Sequence, residues 1–327
     1  MKLESGVAMR TIGLEEHFVT PELVGYGASS ASIIQPEKWR EASRRLLDLT
    51  GERLAEMDAA GLDTQVLSLN APGIQAESDA ATAVARAAAV NDLLASVVAD
   101  HPGRFAGFAA LPLQDPQAAA KELERAVSQL GLCGALVNAH TQGRYLDDPA
   151  LRVVWERAEG LDVPLYLHPA NGVGTPHVIE GHPELVGPMW SWGTETATHF
   201  LRLVFGGVLD DFPRAKVLLG HMGEGLPYML WRLDSRWDYH HHHGVELALG
   251  RPSEYVRRNL YITTSGVCSA PPLLCALLAL GADHILFGTD HPFEDMAAAT
   301  AFLRTAPVSE ADRAKIAHLN AERLLGL

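Results

Sequence analysis

The sequence predicts an α/β fold, a (β/α)8 barrel of the TIM type with loop insertions at its C-terminal face. Two observations predict it. Short apolar runs alternate with helical patterns eight times along the chain, and several of these runs end in residues suited to metal binding or proton transfer. In a parallel barrel all strands end at one face, so groups far apart in sequence converge there. Strands apolar on both faces are those that helices cover in a parallel sheet. The expected strands are 11–17, 63–69, 105–111, 134–139, 164–168, 216–221, 260–265 and 285–290.

The intervening segments carry helical spacing. Residues 40–59 place Leu46, Leu47, Leu54 and Met57 on one side, and 77–100 offer Val84, Val90, Leu94, Val97 and Val98. Residues 116–130 and 147–159 each open with Asp followed by Pro, an N-cap and a first-turn proline. Further helices fit 193–211, 224–239, 270–280 and 309–325. The irregular segments 20–36, 170–192 and 238–253 lie near strand ends and are candidate lids. The length suits one barrel domain over 1–327.

Composition narrows the function classes. With 47% hydrophobic and 20% charged residues, the chain has an ordinary globular make-up. A net charge of −14 disfavours nucleic acid. No apolar run suggests a membrane span, and the N-terminus lacks the apolar core of a signal peptide. Cys133, Cys268 and Cys275 are not in CxxC spacing and read as reduced core thiols, so the expected compartment is the cytoplasm.

Glu15 and His17 are spaced i, i+2, so on a strand both point to one side. His168 and Asp290 would join them from the fifth and eighth strands. Two imidazoles and two carboxylates suit one divalent ion, Mn2+ or Zn2+, with the carboxylates tilting the set toward Mn2+. His221 and Glu224 stand three apart across Gly223, so the carboxylate can orient the imidazole. Arg232 is eight residues past Glu224, two helical turns on, and is a candidate for a substrate carboxylate or hydroxyl. Trp190 and Trp192 suit either a pocket wall or a subunit contact. Asn138 and His140 follow the fourth strand. The run His240–His243 reads as a solvated helix end or a subunit contact, since consecutive helical residues point in different directions.

LEEHF (14–18), HPGRFAGFAALPLQDP (101–116), YLHPAN (166–171), WSWGTETATHFLRLVFGG (190–207), GHMGEGLPYMLWR (220–232), FGTDHPFE (287–294) and NAERLL (320–325) together resemble the amidohydrolase superfamily. The likeness is to its decarboxylase branch, including the γ-resorcylate, 2,3-dihydroxybenzoate and aminocarboxymuconate-semialdehyde decarboxylases. The resemblance implies that Glu15, His17, His168 and Asp290 bind the metal, that His221 and Glu224 form an acid–base pair, and that Arg232 and Phe293 touch substrate. It implies decarboxylation of a small aromatic carboxylic acid by a homodimer or homotetramer, with no organic cofactor. The fourth strand, GALVNA, has no lysine to bridge a second ion, so a single ion is expected. A mononuclear hydrolase of an ester, lactone or amide is the alternative, because the ligand set alone fits both.

Overall fold

The computed structural model describes residues 9–27 and 32–327. The N-terminal eight residues and the middle of the expected lid, 28–31, lie outside the described residues. The strands are β1 (Ile12–Phe18), β2 (Thr64–Leu69), β3 (Phe105–Gly107), β4 (Ala109–Ala110), β5 (Ala135–Asn138), β6 (Pro164–His168), β7 (Lys216–Leu219), β8 (Leu260–Thr263) and β9 (Ile285–Leu286). All pair in parallel, in two ladders ordered β1-β2-β3 and β4 through β9.

The expected third strand, 105–111, is divided at Phe108. There the Phe108 amide donates to Leu67 O (2.9 Å) and the Ala109 amide donates to Gly134 O (2.9 Å). One segment thus serves both ladders by changing partner. Between β9 and β1 there is no continuous ladder. A single bridge, Leu14 to Gly288, brings the last strand beside the first. The arrangement is that of a (β/α)8 barrel with a thin seam.

Strand alternation sorts the apolar side chains into two layers. Ile12, Leu14, Val66, Phe108, Leu136, Tyr166, Leu218 and Leu286 cluster on one side, and Leu324 and Leu325 of the C-terminal helix join them. Leu67, Val137, Leu165, Leu167, Val217 and Leu219 pack with the surrounding helices in the main core. Each such fully buried Leu or Val contributes roughly 1.5–3 kcal/mol.

Several expected helices are shorter or divided. Residues 40–59 become Pro36–Leu47 and Glu52–Ala60. The Asp48 carboxylate turns the chain between them by accepting from the amides of Gly51 (2.7 Å) and Arg53 (3.1 Å). Residues 193–211 break at Gly206–Gly207, where Gly207 has φ +73°. The helices Pro252–Asn259 and Met296–Thr305 were not expected; Asp295 caps the second by accepting from the amides of Ala297 and Ala298.

The cysteine reading needs correction, and one long helix bears on the membrane reading. Ala80–Asp100 is a 21-residue helix with an 18-residue window of mean hydropathy 1.3, long and apolar enough by those measures to cross a membrane. Here its face of Ala83, Ala87, Val90, Asn91 and Leu94 is buried, and Asn91 donates to Ala110 O on β4 (3.0 Å). Among the cysteines only Cys133 is buried; Cys268 is exposed and Cys275 half-buried.

Candidate metal centre and proton-transfer site

β1 carries a bulge. Its register against β2 shifts between Gly13 and Glu16, and Glu15 sits at φ +66°. A left-handed residue inside a strand is costly for a non-glycine side chain and is kept where the surrounding structure enforces it. Glu15 and His17 therefore lie within β1, which continues to Phe18, rather than at its end. His168 does end β6. His221 follows β7 in a short turn, and Asp290 lies four residues past β9. His221, Met222, Glu224 and Asp290 all have positive φ, between +48° and +63°.

The geometry brings five expected residues to one point. His17 Nε2 is 3.4 Å from Asp290 Oδ1, and His168 Nε2 is 3.5 Å from Glu15 Oε1. His221 Nε2 is 3.6 Å from Asp290 Oδ2 and 3.9 Å from Glu15 Oε1. Ligands bonded at ~2.1 Å to one ion are roughly 3.0–3.4 Å apart, so the two closest pairs approach the edges of one coordination shell. Glu15 Oε1 and His17 Nε2 are buried without any hydrogen-bond partner. Unpaired buried polar atoms are expensive, and a cation is the partner this donor set fits.

The other oxygen of Glu15 is held by hydroxyls. Tyr166 donates to Glu15 Oε2 (2.6 Å), Thr263 donates to it (3.3 Å), and Ser265 adds a further bond. That division leaves Oε1 aimed at the imidazoles. Ser68 Oγ contacts His17 Nδ1 at 3.2 Å, which fixes the ring. The sequence reading missed these hydroxyls, although Tyr166 stands two residues before His168 on one strand face, the same i, i+2 signal that marked Glu15 and His17. Tyr166→Phe is expected to weaken Mn2+ affinity by about 10–100-fold, the range for loss of a group that orients a ligand; titrating the apoprotein with Mn2+ checks it.

Electrostatics separate the roles. Burial pushes the Glu15 carboxyl up, opposed by His221. Burial, then His17, hold His168 well below the usual imidazole range, in the neutral form that a ligand needs. Burial also works against a charged His221, but Glu15, Glu224 and Asp290 outweigh it and raise its pKa well above the usual value. Asp290 is pulled the other way: burial is outweighed by the imidazoles of His17 and His221 that face it, which hold it below the usual carboxylate range. Glu224 Oε1 is 2.8 Å from His221 Nδ1. His221 thus has both nitrogens engaged and a bias toward protonation, which suits proton transfer rather than ligation.

A cavity of about 1640 Å³ opens above these groups, with His168, His221, Asp290, Phe293, Trp192 and Met189 in its wall. The Phe293 ring lies 6.0 Å from that of His17. Trp192 lines the wall, and its Nε1 donates to Asn171 Oδ1 (2.8 Å).

Two expected residues lie elsewhere. Asn138 is buried at the end of β5, where its Nδ2 donates to Leu69 O (3.4 Å) and its Oδ1 has no partner; it does not line the cavity. Arg232 is exposed and also outside the cavity wall. The helix there begins at Leu226, with Glu224 before it in the left-handed region, so counting helical turns from Glu224 does not place Arg232 on its face. Of the histidine run, His242 stacks on Trp237 at 3.6 Å and bonds to its carbonyl (2.6 Å). Among the described residues the run is not gathered into a metal-binding group.

A family model described as amidohydrolase matches residues 17–327. A γ-resorcylate decarboxylase from Rhizobium sp. (strain MTP-10005) is 45% identical over 328 residues, 97% of this chain and 98% of the relative. A 2,6-dihydroxybenzoate decarboxylase solved with 2,6-dihydroxybenzoate superposes with TM-score 0.90 at 44% identity, covering 98% of this chain and 100% of that one. A dihydroxybenzoic acid decarboxylase from Polaromonas sp. JS666, solved with manganese and the inhibitor 2-nitroresorcinol, gives TM-score 0.89 at 43% identity and 97% coverage of both. With its cluster of candidate metal ligands, its parallel barrel and a match over nearly its whole length, the chain belongs to the amidohydrolase family.

Proposed function

We propose that this chain is a metal-dependent, non-oxidative decarboxylase that converts an ortho-hydroxybenzoic acid to a phenol and CO2. The observation that carries the reading is the place of Asp290. It stands against His17 on one side and His221 on the other, in the wall of a cavity that Phe293 and Trp192 also line. The whole-length similarity to hydroxybenzoate decarboxylases supports it.

Direct loss of CO2 from an aromatic acid would leave an aryl carbanion, so the ring carbon must be protonated first. Glu15, His17, His168 and Asp290 would hold one divalent ion, Mn2+ or Zn2+, which supplies a Lewis-acidic anchor for substrate oxygens. Phe293 and Trp192 confine the ring. Asp290, ionised at rest, takes up the proton that His221 holds and passes it to the carbon bearing the carboxylate, with the ortho oxygen feeding electrons into the ring. The C–CO2 bond then breaks, its electron pair returns to the ring, and aromaticity is restored. His221, oriented by Glu224, is then reprotonated from solvent, which supplies the one proton that each turnover consumes. The sequence requires no oxidant and no organic cofactor. The expected assembly is a homodimer or homotetramer, consistent with the aromatic side chains Tyr228 and Trp231 being 80% and 84% exposed.

The test is product analysis. Mn2+-loaded protein given 2,6-dihydroxybenzoate is expected to release CO2 and resorcinol in equal amounts. Turnover of aryl esters or lactones without any CO2 release from hydroxybenzoates would establish the hydrolase instead.

A further inference from the structure

We infer that Glu16 is a positioning residue, whose buried carboxylate clasps Thr289 across the seam between β9 and β1 and so holds His17 and Asp290 at their mutual distance. The inference rests on the ligand set given above.

The ligands come from opposite sides of the thinnest join in the barrel. Glu15 and His17 belong to β1, and Asp290 follows β9. One strand bridge links the two, supported by backbone bonds from Leu14 N to Phe287 O (3.0 Å) and from His17 N to His291 O (2.8 Å). A ladder this short leaves relative sliding weakly opposed. Glu16 spans it. Its Oε1 accepts from the Thr289 amide (3.0 Å) and its Oε2 from the Thr289 hydroxyl (2.6 Å). Thr289 is the residue before Asp290, and Glu16 lies between Glu15 and His17. A two-point clasp on adjacent residues therefore couples both halves of the ligand set.

The clasp is itself braced. Gln65 on β2 donates to Glu16 Oε2 (2.9 Å), and Arg53 donates to Gln65 Oε1 (3.1 Å) and to the His17 carbonyl (2.6 Å). Glu16, Gln65 and Thr289 are fully buried and Arg53 nearly so, and none of them lines the cavity. Room for the clasp comes from two glycines. A Cβ on Gly13 would lie 2.6 Å from Glu16 Oε1, and one on Gly288 would lie 2.6 Å from Leu14 O. The first leaves space for the clasp itself, and the second for the close approach of β1 to the chain after β9.

Thr289→Val removes the hydroxyl at nearly constant volume, and Thr289→Ser keeps it. The expected result is Mn2+ affinity of the apoprotein lowered about 10–100-fold in Thr289→Val and largely recovered in Thr289→Ser. The free-Mn2+ signal in electron paramagnetic resonance reads it. At saturating Mn2+ the valine variant should lose kcat while KM changes little, since the clasp sets Asp290 and not the Phe293 and Trp192 side of the cavity. Should Thr289→Val not fold, Glu16→Gln, which keeps the side-chain length, carries the same expectation. Wild-type Mn2+ affinity and kcat in a folded variant, even with a lowered Tm, would overturn the clasp and leave a purely structural contact. Absence of Mn2+ binding by the wild-type protein would overturn the ligand set, and the clasp with it.

Discussion

Replacing Asp290 by asparagine is expected to abolish CO2 release from a hydroxybenzoate while leaving a folded protein. Asparagine matches the shape of aspartate and is among the side chains that best tolerate the left-handed region, so the φ of +63° at this position need not change. Its carbonyl oxygen can still face His17. What it lacks is a transferable proton of carboxylic acidity and the charge that pairs with His221. Removal of a general acid costs typically 10²–10⁴-fold, and loss of a charged ligand at the same position adds to that, so kcat should fall by at least ~10³. Assays of CO2 release together with circular dichroism and Tm separate the chemistry from folding. Wild-type turnover by the folded variant would remove Asp290 from the proton path.

The same residue shows how much of this molecule was legible in its sequence. Glu15, His17, His168, His221 and Asp290 were identifiable because each stands within or just after a short apolar run, and a parallel barrel gathers such runs whatever their separation. Local geometry was less accessible. Alternation on β1 suggested that Glu15 and His17 share a face, but not that a bulge at Glu15 turns its carboxylate toward His168. Positive φ at His221, Met222 and Glu224 delays the following helix until Leu226, which is why a periodicity argument misplaced Arg232. The third strand divides at Phe108 because it must serve two ladders, a demand set by closure of the sheet and by nothing local. The helices Pro252–Asn259 and Met296–Thr305 were obscured by their shortness, 8 and 10 residues, although Asp295 before the second is an N-cap of the kind recognised at Asp115. The role of Glu16 was hidden for a different reason. Its partner Thr289 is 273 positions away, and only the approach of β9 to β1 joins them.

Stripping the metal is expected to remove activity completely and to lower the unfolding temperature, with both restored by Mn2+. The ion would neutralise charge that the fold brings together. Glu15 and Asp290 both bring carboxylates to the centre, with Glu15 fully buried, and candidate ligand atoms of Glu15, His221 and Asp290 lie within 4.8 Å of one another. Without a cation, Glu15 is driven toward its neutral form by burial, and His221 carries the positive charge that offsets Asp290. That compensation ties up on His221 the proton that the reaction needs. An ion that binds only the folded chain stabilises it by RT ln(1 + [L]/Kd), about 2.7 kcal/mol at a hundredfold excess over Kd, enough to move Tm by several degrees. Dialysis against a chelator, followed by calorimetry and CO2 assays across a Mn2+ titration, reads both effects on one sample. The two curves should share one midpoint, because the groups that hold the ion are those that position the acid. His168→Ala should shift both midpoints together to higher Mn2+ concentration. Activity that survives full chelation would show that Asp290 and His221 act without the ion and that the ligand cluster serves only the fold.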